Sequence, residues 1–255
     1  MHIYKYAPAL CLGAVFACTT SWAADAPTID PAAAKALDSM GAYLRSLPQF
    51  AISGDSSTDV VDDNGQTIQI ANHTLLQVKR PNQLHVEVSG DEGTRSAFYD
   101  GKTFTFYGTP HHYYATVPAP ATIAALVQDL SSKYGLDTPL SDLFYWGTPQ
   151  SQAAALTSAQ VIGDERIAGQ ICTHYAYRQP DVDWQIWISK SAQPLPCKVS
   201  IIDTSNPARP QHTATLKWQL HPALSAQNFR FTPPAGAQRI VLRKVAADAS
   251  AAQAE

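Results

Sequence analysis

Surplus charge is the first thing the chain lacks: 18 lysines and arginines stand against 21 aspartates and glutamates, a formal net charge of −3. A polyanion or an anionic membrane surface calls for a basic excess, so nucleic acid is not an expected partner. Long hydrophobic runs are missing too. The run "APALCLGAVFA" (residues 7–17) falls short of the about 20 apolar residues a membrane-spanning helix needs. An integral membrane protein is therefore not expected. Nor does any serine stand in a G-x-S-x-G elbow, which removes the α/β-hydrolase nucleophile. "VDDNG", ending at Gly65, is too short for a calcium loop and reads as a solvated turn. Asp164 and Glu165 read as a hairpin tip, and no paired carboxylates for acid–base work can be assembled. His73, His85, His174, His212 and His221 are scattered without ligand spacing. His111 and His112 are adjacent, and neighbours on a strand face opposite ways, so they do not share a metal ion. No catalytic residue, metal or cofactor is expected, and the chain is expected not to be an enzyme.

Cysteine is scarce, and its placement matters more than its count. The start "MHIYKY", the apolar run and Ser21-Trp22-Ala23 before Ala24 make residues 1–23 a secretory signal peptide. Val15-Phe16-Ala17-Cys18 outlines a lipoprotein processing site that Phe16 fits poorly, so anchoring at Cys18 is the alternative. Cys11 leaves with the leader. Cys172 and Cys197 remain in a compartment that permits disulfides. They form no C-x-x-C motif, and two thiols alone make a poor zinc site. A structural disulfide is expected against one geometric objection. If 172–178, 183–189 and 197–203 form a simple meander, the two cysteines lie two strand spacings of about 4.8 Å apart. A bulge or strand end would close that gap; two buried free thiols are the alternative.

What is present is a helix followed by strands. Asp30 caps and Pro31 opens a helix whose apolar stripe (Ala33, Ala36, Leu37, Met40, Tyr43, Leu44, Leu47) ends at Pro48. From Phe50 to Pro118 the pattern predicts five or six antiparallel strands, punctuated by Asn64-Gly65, Arg80-Pro81-Asn82 and Asp100-Gly101. Within it, "SGDSSTD" reads as a solvent-facing strand edge and "HHYYATVP" as a strand. A second helix carries Ile123, Leu126, Val127, Leu130 and Tyr134 and stops at Gly135. "TPLSDLFYWG" predicts a short third helix with Leu140, Leu143, Phe144, Tyr145 and Trp146. Strands resume near Ala159, and "NFRFTPPAGAQRIVL" predicts an edge strand, a Pro-Pro turn and a last short strand. No internal repeat is present.

This order resembles the LolA/LolB-like fold of bacterial periplasmic lipoprotein carriers. More narrowly, "PNQLHVEVSGD", "YDGKTFTFY", "YGLDTPLSDLFYWG", "DVDWQIWI", "PLPCKVSI" and "NFRFTPPAGAQRI" resemble a family of predicted periplasmic proteins of unknown function. The resemblance implies an α+β architecture: a strongly curved antiparallel sheet of about 11 strands, an open half-barrel whose concave face is covered by helices over an apolar cavity. It also implies a periplasmic location. The length of the mature chain fits one domain, over residues 24–243, and the Ala-rich stretch 244–255, which lacks an apolar stripe, reads as a disordered tail.

Within that frame the candidate cavity lining is Phe104 and Phe106 on one strand, Trp184, Ile186 and Trp187 on another, and Leu126, Leu130, Leu143 and Phe144 on the lid. Taken singly, most of them read first as plain core; it is the set as a whole that suggests a cavity. Side chains alternate on "DVDWQIWIS", so Trp184, Ile186 and Ile188 face one way and Trp187 the other. The leading expectation is a periplasmic non-catalytic carrier for a lipid, an acyl chain or a lipoprotein moiety. The alternative is an envelope protein-interaction or stress-sensor module with a packed interior. N-terminal sequencing of the protein from its own envelope is expected to read from Ala24; a chain starting at an acylated Cys18 would establish the anchored form instead.

Overall fold

The computed structural model describes residues 28–136, 140–146, 148 and 155–245. The leader (1–23) and the tail beyond Val245 lie outside the described residues. Helix α1 (Pro31–Ser46) starts where Asp30 accepts a 2.8 Å hydrogen bond from the Ala32 amide, and Pro31 needs no partner at that position. Its stripe of Ala33, Leu37, Met40 and Leu44 is buried in one cluster with Phe50, Ile52, Leu76 and Val78 of the sheet. Helix α2 (Ile123–Tyr134) is capped by Thr122 and ends at Gly135, whose φ of 62° is the left-handed conformation glycine adopts freely. Helix α3 is the single turn Asp142–Tyr145.

The strands make one open sheet. The first run is β1 (Gln49–Val61), β2 (Thr67–Lys79), β3 (Gln83–Gly90), β4 (Gly93–Tyr99), β5 (Thr103–Gly108) and β6 (Tyr113–Pro118). The second is β7 (Ser158–Ile167), β8 (Gln170–Gln179), β9 (Val182–Ser189), β10 (Pro196–Asp203) and β11 (Gln211–Gln219), with β12 (Gln238–Arg239) last. The spatial order is β12-β6-β5-β4-β3-β2-β1-β11-β10-β9-β8-β7. Each run is an antiparallel meander, and the β1–β11 pairing joins them into one surface. Among the described strands β12 alone is parallel, beside β6, and the isolated Ile29–Ala159 bridge is parallel too. The architecture is α+β, mostly sheet, with helices on the concave face. It has 12 strands rather than about 11, the extra one being the two-residue β12.

Four expectations need correction. "SGDSSTD" is not a sheet edge: β1 is flanked by β2 and β11, with Ser53, Asp55, Ser57 and Asp59 on the convex face and Gly54, Ser56 and Thr58 continuing the face of Phe50 and Ile52. The hairpin tip of β7–β8 falls at Ala168 and Gly169, both with positive φ, so Asp164 and Glu165 lie inside β7. "NFRF" is not an edge strand. A 3-10 turn (Ala226–Phe229) leads into an extended strap that buries Phe229 fully and uses its rings rather than a ladder, as Pro233 and Pro234 lack amide donors. His111 and His112 similarly precede β6 instead of lying in it.

Cys172 and Cys197 are bonded, with Cα atoms 6.8 Å apart across the intervening β9. The register of β10 against β9 shifts between Pro196 and Lys198, and this irregularity at Cys197 closes the two-strand gap. The bridge spans 25 residues of sequence, for which the chain-entropy account gives roughly 3 kcal/mol. Urea denaturation with and without reductant is expected to differ by about that amount; coincident midpoints would show the bridge to be passive.

Candidate functional site

The two faces of β9 meet different covers. Ile186 is fully buried between Tyr175 of β8 and Val199 of β10, in the cluster that includes the helices. Trp184, on the same face, stacks on Tyr177 at 4.3 Å between ring centroids and donates its indole N–H to Gln179 Oε1 at 3.1 Å. The Tyr177 hydroxyl in turn donates to the Ala33 carbonyl at 2.9 Å, tying the first turn of α1 to the sheet. Burial pushes that phenol far above its usual range, so it stays a donor at all physiological pH.

Trp187 lies on the opposite face and is the correction to the expected lining. Its ring stacks on His174 at 4.0 Å, Lys198 Nζ sits 4.5 Å from its centroid, and its N–H donates to Glu165 Oε2 at 2.9 Å. Together with the Cys172–Cys197 bridge it makes a small buried patch on the convex side, edged by Ile167. The protein thus covers this strand with helices on one side and with a disulfide and an ion-rich cluster on the other.

Phe104, Phe106, Leu126, Leu130, Leu143, Phe144, Trp184 and Ile186 come together on the concave face in one apolar cluster. Most of them are closely packed core: Leu126 and Leu130 are each 2% exposed. Phe106 differs. It is half-buried and lines a cavity of about 480 Å³ with Ala115, Tyr113, Gly108, Ile240 and Arg95. Phe106 and Ala115 are direct partners across β5 and β6, so their side chains share its wall. The sequence pointed to Phe106, but it did not point to Ile240, which the chain brings in from beyond β12.

The convex face carries a second set of recesses. Phe231 of the C-terminal strap is wedged among Phe98, Tyr107 and Tyr114, with centroids 5.4, 5.4 and 5.2 Å away. Hollows of about 310 and 490 Å³ flank it, with Arg230 on both sides. Farther along, His73 Nδ1 lies 2.7 Å from Asp55 Oδ1 and His73 Nε2 lies 3.3 Å from Ser53 Oγ. That is the atom order of a nucleophile, a base and an orienting carboxylate. Strand register creates it, since Asp55 is the cross-strand partner of His73; sequence spacing gives no sign of it. Yet β1 is hydrogen-bonded along both edges, so its amides are engaged in the ladder rather than free to stabilise an oxyanion. The hydrogen bond from His73 holds the Asp55 carboxyl below its ordinary range.

An open, curved antiparallel sheet with helices across its concave face is a LolA-like fold. The family model described as "Predicted periplasmic protein (DUF2092)" matches residues 33–243, and the chain belongs to that family. It is a periplasmic protein. Among solved structures, the lipoprotein LppX of Mycobacterium tuberculosis is similar at 15% identity and a TM-score of 0.51, over 76% of this chain and 98% of that one. A putative outer membrane lipoprotein-sorting protein domain from Vibrio parahaemolyticus has 7% identity and a TM-score of 0.33, over 78% and 96%. The MucA/MucB complex structure from Pseudomonas aeruginosa has 15% identity and a TM-score of 0.35, over 79% and 63%. No curated protein matches the sequence.

Replacing Tyr177 with Phe removes one buried hydrogen bond to the Ala33 carbonyl, which keeps its bond within the helix. The expected loss is about 0.5–1.5 kcal/mol in urea denaturation; an unchanged midpoint would show that α1 does not depend on this tie.

Proposed function

We propose that the protein is a non-catalytic periplasmic binder or carrier of an apolar ligand: a lipid, an acyl chain or the lipid moiety of a lipoprotein. The observation that carries this reading is the cavity of about 480 Å³ beside Phe106 and Ala115. It opens from the face that the helices cover, where the packed cluster ends. Its size falls within the about 300–1,000 Å³ typical of small-molecule sites. Phe106, Ala115 and Ile240 supply an apolar wall, while Arg95, Glu92 and His111 are polar groups around it. Removal of the ligand's apolar surface from water supplies the driving force, at about 25 cal/mol per Å². Movement of α2 and α3 away from the sheet would lengthen the cavity toward Phe104 and Leu130.

A second reading, a module that binds another envelope protein, has its own observation. The β1–β2 hairpin runs beyond its last partners, Thr58↔His212 on one side and Asn72↔Gly90 on the other. On this projecting arm Val60, Ile68 and Ile70 are 49, 44 and 41% exposed. They share one face of it.

Titration with a neutral fluorescent polyene ester tests the carrier reading. Ala115→Trp puts an indole into the cavity beside Phe106 and is expected to weaken binding at least about tenfold, at a stability cost of about 1–3 kcal/mol for crowding a buried position. Wild-type affinity in that variant would sink this location for the site. Native mass spectrometry of protein from its own envelope separates the readings: a bound lipid mass supports the carrier, and a stoichiometric protein partner without lipid supports the module.

A further inference from the structure

Arg80 opens the turn from β2 to β3, and its backbone N–H donates to the Pro48 carbonyl at 2.8 Å, just past the end of α1. Its guanidinium turns toward that helix end. Nη2 reaches the Leu44 carbonyl at 3.4 Å, and the group sits 5.8 Å from the Phe144 ring centroid. Nε is enclosed and has no hydrogen-bond acceptor from the protein. Beside it, Arg45 donates from Nη1 to the Trp146 carbonyl at 2.9 Å. Neither arginine forms an ion pair among the described residues.

A structural role explains part of this arrangement. Cations at a helix C-terminus answer the exposed carbonyls and the negative end of the dipole. The charges do not balance, however. The helix end offers roughly half a negative charge against two full guanidinium charges. Water on the enclosed Nε would answer its hydrogen bond but not the charge. Burial, and after it the Arg45 charge, both press the Arg80 guanidinium toward proton loss. An arginine nonetheless remains charged in proteins, so the cost of that charge persists.

We infer that Arg45 and Arg80 form an oxyanion-binding site at the junction of α1, α3 and the end of β2, taking a carboxylate or phosphate. The planar guanidinium fork matches both anions, and Arg80 still has its Nε–H to offer. Arg45 stands exposed at the entrance and Arg80 lies half-buried behind it. Phe144 and Leu44 border the site and belong to the apolar cluster, so an anion held here would sit at the boundary of that cluster. If the carrier reading holds, this site selects anionic amphiphiles over neutral ones; a free anion such as phosphate is the other source of the same chemistry.

The test uses cis-parinaric acid, its methyl ester and inorganic phosphate on the full mature chain. The acid is expected to bind about tenfold more tightly than the ester. In Arg80→Gln and in Arg45→Gln the two should come within about twofold, with ester affinity unchanged. Arg80→Lys, which keeps the charge and loses the fork, should fall between. Phosphate raising the melting temperature of the wild type more than chloride at equal ionic strength, with the effect lost in Arg80→Gln, would identify a free anion as the source. Acid and ester binding the wild type equally, with phosphate no better than chloride, overturns the site. If neither acid nor ester binds at all, the carrier reading fails while the phosphate comparison still decides this one. Should Arg80→Gln not fold, the surface-exposed Arg45→Gln carries the same comparison.

Discussion

A sheet this wide must cover apolar side chains on both of its faces, and the rest of the structure follows from how the chain supplies those covers. On the concave side, α1 crosses from β7, where Ile29 bridges Ala159, to the start of β1, and α2 and α3 complete the cluster. Each fully buried Leu or Ile there contributes about 1.5–3 kcal/mol, and these contributions together offset the entropy of ordering long, non-local strands. On the convex side no α-helix lies among the described residues. A disulfide with Trp187 covers one region, and Phe229 and Phe231 of the C-terminal strap cover another. The middle of the convex face is hydroxyl-rich and needs no cover.

This division explains why the cavity lies where it does. The helices share one packed cluster with residues of β1 to β5, and the void opens beside that cluster at Gly108 and Tyr113. Phe106 sits at that transition, one side in the cluster and the other in the void. The same helices end near Arg45 and Arg80, so packing and charge meet at the opposite end of β2 from its exposed apolar arm.

Local features were readable in advance because their causes are local. Asp30-Pro31 starts a helix wherever it stands, Gly135 ends one, and Asn64-Gly65 and Asp100-Gly101 each turn a strand back on its neighbour. Alternation likewise separates Trp184 from Trp187, although it does not say which of them meets the helices. What escaped the sequence depends on pairings between distant segments. The β10 irregularity that lets Cys197 reach Cys172, the approach of His73 to Ser53 and Asp55, and the arrival of Ile240 beside Phe106 all belong to this kind. Arg80 escaped too: a turn arginine next to a proline looks like surface until α1 is laid across it. Of the candidate site, the apolar set was legible as a set; which member borders open space was not.

The two-residue β12 has an effect out of proportion to its size. By lying along β6 it pairs only with Tyr113 and Tyr114, so an incoming strand meets a two-residue parallel step there and not a straight, uniform edge. At the other margin, β7, Ile29 bridges Ala159 and the register against β8 shifts past Val161. Stepped and partly covered margins of this kind make poor templates for strand addition from a neighbouring molecule.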